Sequence, residues 1–173
     1  MQAACLAMVG AALALSAPLS AQEAEAPRTD YTAVSAATAP VADAYFAAYI
    51  ARDWDALEPL LAPDASFQDP TATHVFGGVL SEGRDAMMQR FRLGYAGITH
   101  MTFAIDRRLI SGNNAIYEGA LNWGLDLGDG ALVDSVTPMV IVLTVEDGKV
   151  VKHRDYVDYA PFVAAVRKAR APG

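Results

Sequence analysis

The stretch that decides the fold is residues 115–159, AIYEGALNWGLDLGDGALVDSVTPMVIVLTVEDGKVVKHRDYVDY. Two turn signals divide it: Gly128-Asp129-Gly130, and Asp147-Gly148, a dipeptide that strongly favours a tight hairpin. The stretch therefore predicts three long antiparallel strands, at residues 115–126, 131–146 and 149–159.

A fourth strand precedes this stretch. Between residues 100 and 106, His and Thr alternate with Met, Phe and Ile, and Asp106 follows, a period of two that is typical of a half-buried strand. Residues 111–114, Ser-Gly-Asn-Asn, form a turn that joins this strand to the next. Residues 160–170 then form a terminal helix or tail.

The residues before the strands predict helices. Pro40 can open a first helix, in which Val41, Tyr45, Ala48 and Tyr49 recur at helical spacing. Asp53 is a good N-cap for a second helix over residues 54–61, which Pro59 should kink or shorten.

A short strand and a third helix complete the pattern. Residues 65–69 predict a strand that Pro70 stops, and Gly83-Arg84-Asp85 opens a helix that ends between Gly94 and Gly97. The order is thus α-α-β-α-β-β-β-β. This order predicts an α+β fold, in which N-terminal helices pack on one face of a curved, mostly antiparallel sheet and enclose a cone-shaped pocket.

Composition excludes several classes of protein. The chain has 173 residues, a net charge of −7 and 53% hydrophobic residues, so it is neither disordered nor suited to neutralising phosphates, and no nucleic-acid partner is expected. Cys5 is the single cysteine, which excludes an intrachain disulfide.

The N-terminus is typical of a secretory signal peptide. Residues 1–22 carry no charge, and residues 6–15 are a ten-residue apolar run, too short for a comfortable membrane span. We therefore expect a signal peptide at residues 1–21, a flexible leader at residues 22–38 and one domain at residues 39–170. The mature protein would be exported, periplasmic or secreted, with no stable membrane span. An uncleaved membrane anchor or a buried helix is the alternative.

Four segments carry a resemblance to a known family: Ala39–Ala65, Ser66–Pro70, Gly83–Ala86 and Gly148–Tyr159. Together with the element order they resemble the nuclear transport factor 2-like superfamily, and within it the SnoaL-like proteins, over residues 39–165. The superfamily includes ketosteroid isomerases, polyketide cyclases, limonene epoxide hydrolases, scytalone dehydratases and proteins that only bind. The resemblance therefore implies the fold and leaves the function open.

The ketosteroid isomerases give one comparison. Tyr45 through Pro70 aligns with their first two helices and first strand without a gap, which puts Tyr45 on the tyrosine that binds the substrate oxygen and Asp69 on the general base. Their third catalytic group, a protonated aspartate, falls in the apolar residues 138–141. The resemblance implies that Asp69 moves a proton and Tyr45 polarises an oxygen. The structural alternatives are a turn carboxylate and a core aromatic.

The limonene epoxide hydrolases give a second comparison, with Lys152-His153-Arg154-Asp155-Tyr156-Val157-Asp158. Asp155 falls on one of their catalytic aspartates, whereas the partner arginine and aspartate fall on Ala120 and Asn122, so that triad is not intact. His153 and Asp155 leave the same face of a strand, so a carboxylate-oriented histidine is predicted there. A solvated pair at a sheet edge is the alternative.

The same resemblance implies which face of the strands lines the pocket. If Asp155 faces inward, Glu118 and Asn122 are expected beside it, and Trp123 then lies on the outer face, where it would form a homodimer interface. Four aromatic residues are expected to complete the ligand-binding wall: Tyr49, Trp54, Phe67 and Phe91.

Two classes of function follow. The first is a cofactor-free isomerase, cyclase or lyase such as a dehydratase, with Asp69, Tyr45, His153 and Asp155 as its catalytic residues. The second is a module that binds a small ligand in the same pocket without chemistry. Three histidines without metal-ligand spacing predict no metal site. An acidic pocket favours a small apolar or neutral ligand, or a cation, over an anion.

Overall fold

Five α-helices and six strands follow one another along residues 30–171, the part of the chain that this computed structural model describes. The helices are α1 (Tyr31–Ala51), α2 (Trp54–Leu57), α3 (Thr73–Phe76), α4 (Arg84–Gly94) and α5 (Ala160–Ala169). The strands are β1 (Leu61–Asp69), β2 (Val79–Glu82), β3 (Ile98–Ser111), β4 (Asn114–Asp126), β5 (Leu132–Glu146) and β6 (Lys149–Val157).

The strands form one open sheet in the order β2-β1-β6-β5-β4-β3. Every neighbouring pair is antiparallel except β1 and β6, which are parallel. Helix α1 packs on strands β3 to β6, and α4 packs on β1 and β2. The predicted α+β class and mostly antiparallel sheet are therefore confirmed, and the four long strands lie where the turn signals put them.

Strands β3 and β4 approach each other unusually closely where their register shifts. Between Ile105 and Arg107 the pairing of β3 with β4 shifts by one residue. Gly119 lies opposite this bulge, and a Cβ there would stand 2.0 Å from the carbonyl oxygen of Ala104. Only glycine permits this approach, and a bulge of this kind bends a strand and increases its twist.

The first helix begins earlier than the sequence pattern predicts. Asp30 caps α1 by accepting from the backbone N–H groups of Thr32 and Ala33, so the helix starts at Tyr31 and Pro40 lies inside it. The prediction that the flexible leader reaches residue 38 is wrong for residues 31–38. An N-cap carboxylate and an alanine-rich turn favour helix more than the absence of an apolar period opposes it. The predicted signal peptide and the rest of the leader lie outside the described residues.

The second helix is shorter than predicted. The Asp53 side chain caps it as expected, by accepting from the N–H of Ala56. Helix α2 ends at Leu57, a 3₁₀ turn containing Pro59 follows, and β1 starts at Leu61. Two short elements, α3 and β2, were not predicted, and the terminal segment is the helix α5.

Candidate functional site

A cavity of about 250 Å³ lies between the helices and the inner face of the sheet. Its wall is mainly apolar, with Phe67, Leu121, Trp123 and Met139 among the lining side chains. Six polar or ionisable residues also line it: Tyr49, Asp69, Arg90, Tyr95, Asp155 and Tyr159. A small apolar pocket with a few convergent polar groups is the usual form of a ligand site.

The parallel pairing of β1 with β6 brings two carboxylates together. Phe67 pairs with His153, and this register, continued by two residues, sets Asp69 beside Asp155 on the inner face. The Val157 N–H donates to Thr71 Oγ1 at 2.8 Å, which shows that the segments following β1 and β6 stay side by side beyond the two aspartates. Both aspartates are buried and line the same cavity.

His153 and Asp155 form a buried pair. His153 Nε2 lies 2.7 Å from Asp155 Oδ1, and both side chains are almost completely excluded from solvent. On the other side of the ring, the Tyr45 hydroxyl lies 3.0 Å from His153 Nδ1. A histidine whose ring nitrogens both have fixed partners is held in one orientation. The predicted carboxylate-oriented histidine is present, and its alternative as a solvated edge pair is wrong.

The other oxygen of Asp155 begins a chain of hydroxyl groups that ends at the cavity wall. Tyr49 donates to Asp155 Oδ2 at 2.8 Å, and the Tyr49 and Tyr95 hydroxyls are hydrogen-bonded to each other. An ionised carboxylate only accepts, so the single Tyr49 proton goes to Asp155 and Tyr95 must donate to Tyr49. Tyr95 thus faces the cavity as an acceptor.

Burial keeps these phenols protonated. Loss of solvation, reinforced by the negative charge of Asp155, raises the pKa of Tyr45 and Tyr49 well above the ordinary value of 10.0. The same two causes raise the pKa of Tyr95. For Tyr159, burial and the hydrogen bond to Asp69 raise the pKa. None of these hydroxyls ionises near neutral pH, so each acts as a fixed hydrogen-bonding group.

Asp69 closes the turn after β1 and faces the cavity as well. Its Oδ1 accepts from the Thr71 N–H, the Thr71 hydroxyl and the Ala72 N–H, at 2.6–2.9 Å. Among residues 30–171, its Oδ2 accepts from the Tyr159 hydroxyl alone, at 2.6 Å. The structural alternative of a turn carboxylate therefore holds alongside the pocket position, and Oδ2 is the oxygen with remaining acceptor capacity.

Among the described residues that line the cavity, Arg90 is the one cation. Its Nε–H donates to Ser81 Oγ at 2.7 Å, and Nη2 lies 3.4 Å from the carbonyl oxygen of Leu80. These bonds anchor the guanidinium to strand β2 through neutral acceptors. Within residues 30–171 it forms no salt bridge with a carboxylate.

Four of the predicted site residues do not line the cavity and lie behind its wall: Tyr45, Trp54, Phe91 and His153, of which His153 is fully buried. Tyr45 is fully buried against His153 and does not line the cavity, so its position does not suit direct contact with a ligand oxygen. Phe91 is also fully buried, and the half-buried Trp54 stacks on it with the ring centroids 5.3 Å apart. Tyr49 and Phe67 do line the cavity, as predicted.

The predicted orientation of β4 is wrong. Leu121 and Trp123 face the cavity, whereas Asn122 is exposed and Glu118 is half-exposed and 3.4 Å from Arg107. Trp123 donates to Thr137 Oγ1 at 2.8 Å and stacks on Phe162 of α5. Burying tryptophan and leucine is far more favourable than burying glutamate and asparagine, and the alternation of the strand allows only one of the two sets inside.

Three functional candidates were missed by sequence reasoning. Tyr95 sits in the turn after α4, Tyr159 sits between β6 and α5, and Arg90 lies on the helix face toward the sheet edge. No motif marks them, because each is brought to the cavity by tertiary packing. Within the described residues, no cluster of three or more His, Cys, Asp or Glu side chains could hold a metal ion, and no helix has the length and apolarity that a membrane crossing requires.

Helices over an open sheet with a lateral cavity define the nuclear transport factor 2-like class of proteins. The family model for the SnoaL-like domain matches residues 42–153, and the chain belongs to this family. No curated protein sequence matches the chain significantly.

Solved structures show the same fold. A protein from Shewanella denitrificans OS-217 assigned to the SnoaL-like polyketide cyclases has a TM-score of 0.68 and 18% identity, over 76% of this chain and 97% of that one. An LEH-like epoxide hydrolase from M. tuberculosis has a TM-score of 0.58 and 19% identity, over 76% and 91%. TerC, crystallised with polyporic acid, has a TM-score of 0.61 and 18% identity, over 76% and 98%. At these identities the likeness extends to the fold alone.

Proposed function

We propose that the protein is an exported, cofactor-free enzyme that moves protons on a small, largely apolar carbonyl compound, as an isomerase, cyclase or dehydratase. Asp69 is its general base. Asp155, oriented by His153 and Tyr49, is the second acid–base group on the same wall. The observation that carries this proposal is the register that sets two buried carboxylates side by side against a mainly apolar cavity.

The cost of this arrangement favours an enzyme over a binding module. Burying ionisable groups is unfavourable unless each is paired, and apolar residues of similar volume are often as stable or more stable. A cavity that only bound an apolar molecule would need neither His153 nor two aspartates. General acid–base chemistry needs positioned groups of this kind within hydrogen-bond reach of the substrate.

The proposed reaction starts when Asp69 Oδ2 accepts a proton from a carbon next to the carbonyl. The C–H bond breaks, its electron pair forms the enolate double bond, and negative charge moves to the carbonyl oxygen. Return of the proton to a different carbon completes an isomerisation. In a dehydration, the enolate restores the carbonyl, a C=C bond forms, and the β-hydroxyl group takes the proton from Asp69 and leaves as water. Neither course consumes an oxidant or a reductant.

Deuterium exchange into a simple ketone tests the base without knowledge of the natural substrate. The probe is 2-tetralone in D₂O, with its α-protons followed by NMR. We expect the wild-type protein to accelerate exchange and Asp69→Asn to abolish the acceleration. Asparagine can keep the acceptor for Thr71 and Ala72, so this variant should fold. Asp64→Asn is the matched control, because Asp64 is exposed on the same strand. Equal exchange rates with wild type and Asp69→Asn would remove Asp69 from the mechanism.

The binding module is the second candidate, and the satisfied Asp69 favours it. Four donors already occupy that carboxylate, as in a purely structural turn. Native mass spectrometry of the protein purified from its own compartment would detect a retained ligand. A bound molecule recovered unchanged after long incubation, with no exchange in 2-tetralone, would support the binder. N-terminal sequencing of the same material tests export and the cleavage near Ala21.

We further propose a homodimer through the outer face of the sheet, now without Trp123. That face carries Val136 and Tyr156, which are 59% and 41% exposed, and Val140, which pairs with Tyr156 across the β5–β6 ladder. Sedimentation velocity of Val136→Glu should show monomers. Leu93→Glu, which changes an exposed leucine on α4, is the control and should stay dimeric. Identical profiles for both variants would contradict this interface.

A further inference from the structure

The tyrosine hydroxyl groups of the cavity wall have no hydrogen-bond donor left for a ligand, because each already donates its proton within the protein. The Tyr49 proton goes to Asp155, and the Tyr159 proton goes to Asp69. Tyr95 then donates to Tyr49, because each phenol has a single proton. A ligand oxygen that reaches this wall therefore finds acceptors at the tyrosines and aspartates.

Arg90 is the exception. A guanidinium has five N–H donors in a rigid fork, and the two contacts to Ser81 and Leu80 leave donors of Arg90 unassigned among the described residues. The Nε bond to Ser81 fixes the plane of the fork. The residue one turn later, Gly94, also lines the cavity and has no side chain to cover Arg90.

The two carboxylates do not already neutralise this cation. Asp69 and Asp155 take their hydrogen bonds from backbone, hydroxyl and imidazole groups, and neither forms a salt bridge with Arg90 within residues 30–171. The Arg90 charge still acts on the site, since together with the Tyr49 hydrogen bond it opposes the rise that burial causes in the Tyr95 pKa. A cation that lines an apolar cavity without a protein anion is suited to an anion from the ligand.

We propose that Arg90 binds a negatively charged oxygen of the ligand, which makes the ligand a small apolar ring compound with a carboxylate or an acidic enol at one end. This reverses the expectation, drawn from the prediction of an acidic pocket, of a neutral or cationic ligand. The cavity volume, near the lower end of the usual range of about 300–1,000 Å³, limits the ring system to roughly one or two rings. The inference rests on the proposed function only in that both use this cavity.

Two probes of nearly identical shape test the charge: 2-naphthoate and 2-naphthamide, titrated into the full chain by calorimetry. Each probe should quench the tryptophan fluorescence of the wild type, and this quenching should be absent in Trp123→Phe. Because Trp123 lines the cavity, that result reports that the probe occupies it. We expect wild type to bind the naphthoate roughly tenfold more tightly than the amide, since a carboxylate forms an ion pair with two parallel bonds to the guanidinium fork and a neutral amide oxygen does not.

Variants assign the preference to Arg90. Arg90→Gln should remove the roughly tenfold preference with a much smaller change in amide binding, and Arg90→Lys should keep part of the preference. Arg92→Gln is the matched control, because Arg92 lies on the same helix, is exposed and binds Asp55 and Glu58 instead. Arg92→Gln should behave as wild type.

Four results would overturn the proposal. Two concern the wild type: equal affinities for the two probes, or no measurable binding of the naphthoate. The other two concern Arg90→Gln: an unchanged preference for the naphthoate, or an equal loss of affinity for both probes. The last result would make Arg90 a structural residue. The readout is binding and not turnover. A failure here leaves the role of Asp69 in 2-tetralone exchange intact, and a failure of that exchange leaves the charge preference intact.

Discussion

Helix α1 contributes to two carboxylate networks built from similar groups in different surroundings. The Asp43 carboxylate accepts hydrogen bonds from Nε and Nη2 of Arg108 at 2.7 and 2.6 Å and from the Tyr117 hydroxyl at 2.8 Å. Its side chain is 48% exposed. Tyr45 and Tyr49 instead reach the buried His153–Asp155 pair. Water can replace a lost partner in the exposed network but not in the buried one. The exposed network is thus a minor stabilising contact, whereas the buried network is costly to leave incomplete.

The largest expected effect separates the two networks by stability. Asp155→Ala leaves His153 buried without its partner and should lower the free energy of unfolding by about 3–5 kcal/mol in urea titration. Asp43→Ala should lower it by about 1 kcal/mol or less. Replacement of both members, His153→Phe with Asp155→Leu, should recover part of the lost stability, since the buried Tyr45 hydroxyl then lacks its His153 partner. If the double variant were as unstable as Asp155→Ala, the pair would be a structural requirement and not a functional one.

A smaller effect is expected at the tyrosines. Tyr49→Phe removes the donor to Asp155 and the acceptor for Tyr95, and should cost about 1–3 kcal/mol of unfolding free energy. Tyr117→Phe removes one of three donors from half-exposed Asp43 and should cost about 0.5 kcal/mol. Thermal and urea unfolding of the two variants give the comparison. Equal losses would mean that burial does not distinguish the networks.

Alkaline pH should act on the buried tyrosines. Burial raises the pKa of Tyr49 in the folded state above 10.0, so above that pH the unfolded chain releases a proton that the folded chain keeps. Stability is fully present below pH 10 and falls above it, by about 1.4 kcal/mol per pH unit for each such tyrosine. Unfolding free energies at pH 9 to 11 should therefore fall less steeply in Tyr49→Phe than in wild type. Parallel slopes would contradict this assignment.

The smallest expected effect is at the exposed ion pair. Arg108→Ala should cost about 0.2–1 kcal/mol, and the loss should shrink at high salt. Burial alone would raise the pKa of Asp43, but its hydrogen bonds with Arg108 and Tyr117 lower it below 3.8. The contribution is therefore present above pH 3.8 and lost as the pH falls through the lower folded value. A loss larger than that of Tyr49→Phe would reverse the comparison.

Local signals were sufficient for most of the fold. Turn residues such as Asp147-Gly148 and the Asp53 cap act within a few positions along the chain, so strands β3 to β6 and helix α4 follow from the sequence. The error at residues 31–38 came from reading an absent apolar period as an absent helix. Short α3 and β2 lack a local signal strong enough to mark them.

The candidate site was only partly predictable. His153 and Asp155 share a face because they are two residues apart on a strand, and that followed from spacing alone. Which face of β4 points inward did not, because a shift of one residue reverses every side chain. The resemblance implied that Glu118 and Asn122 face the pocket, which put Trp123 on the outer face. The burial of Trp123 shows that β4 has the opposite orientation.

The sequence by itself determined the element order, the α+β class and the shared strand face of His153 and Asp155, because caps, turns and strand alternation are short-range effects. The tertiary structure decided that Asp69 stands beside Asp155, that Tyr45 lies behind His153, and that Tyr95, Tyr159 and Arg90 reach one cavity. Those positions depend on the β1–β6 register and on how α4 packs against the sheet edge. Such contacts join residues far apart in the chain, and no local pattern encodes their partners.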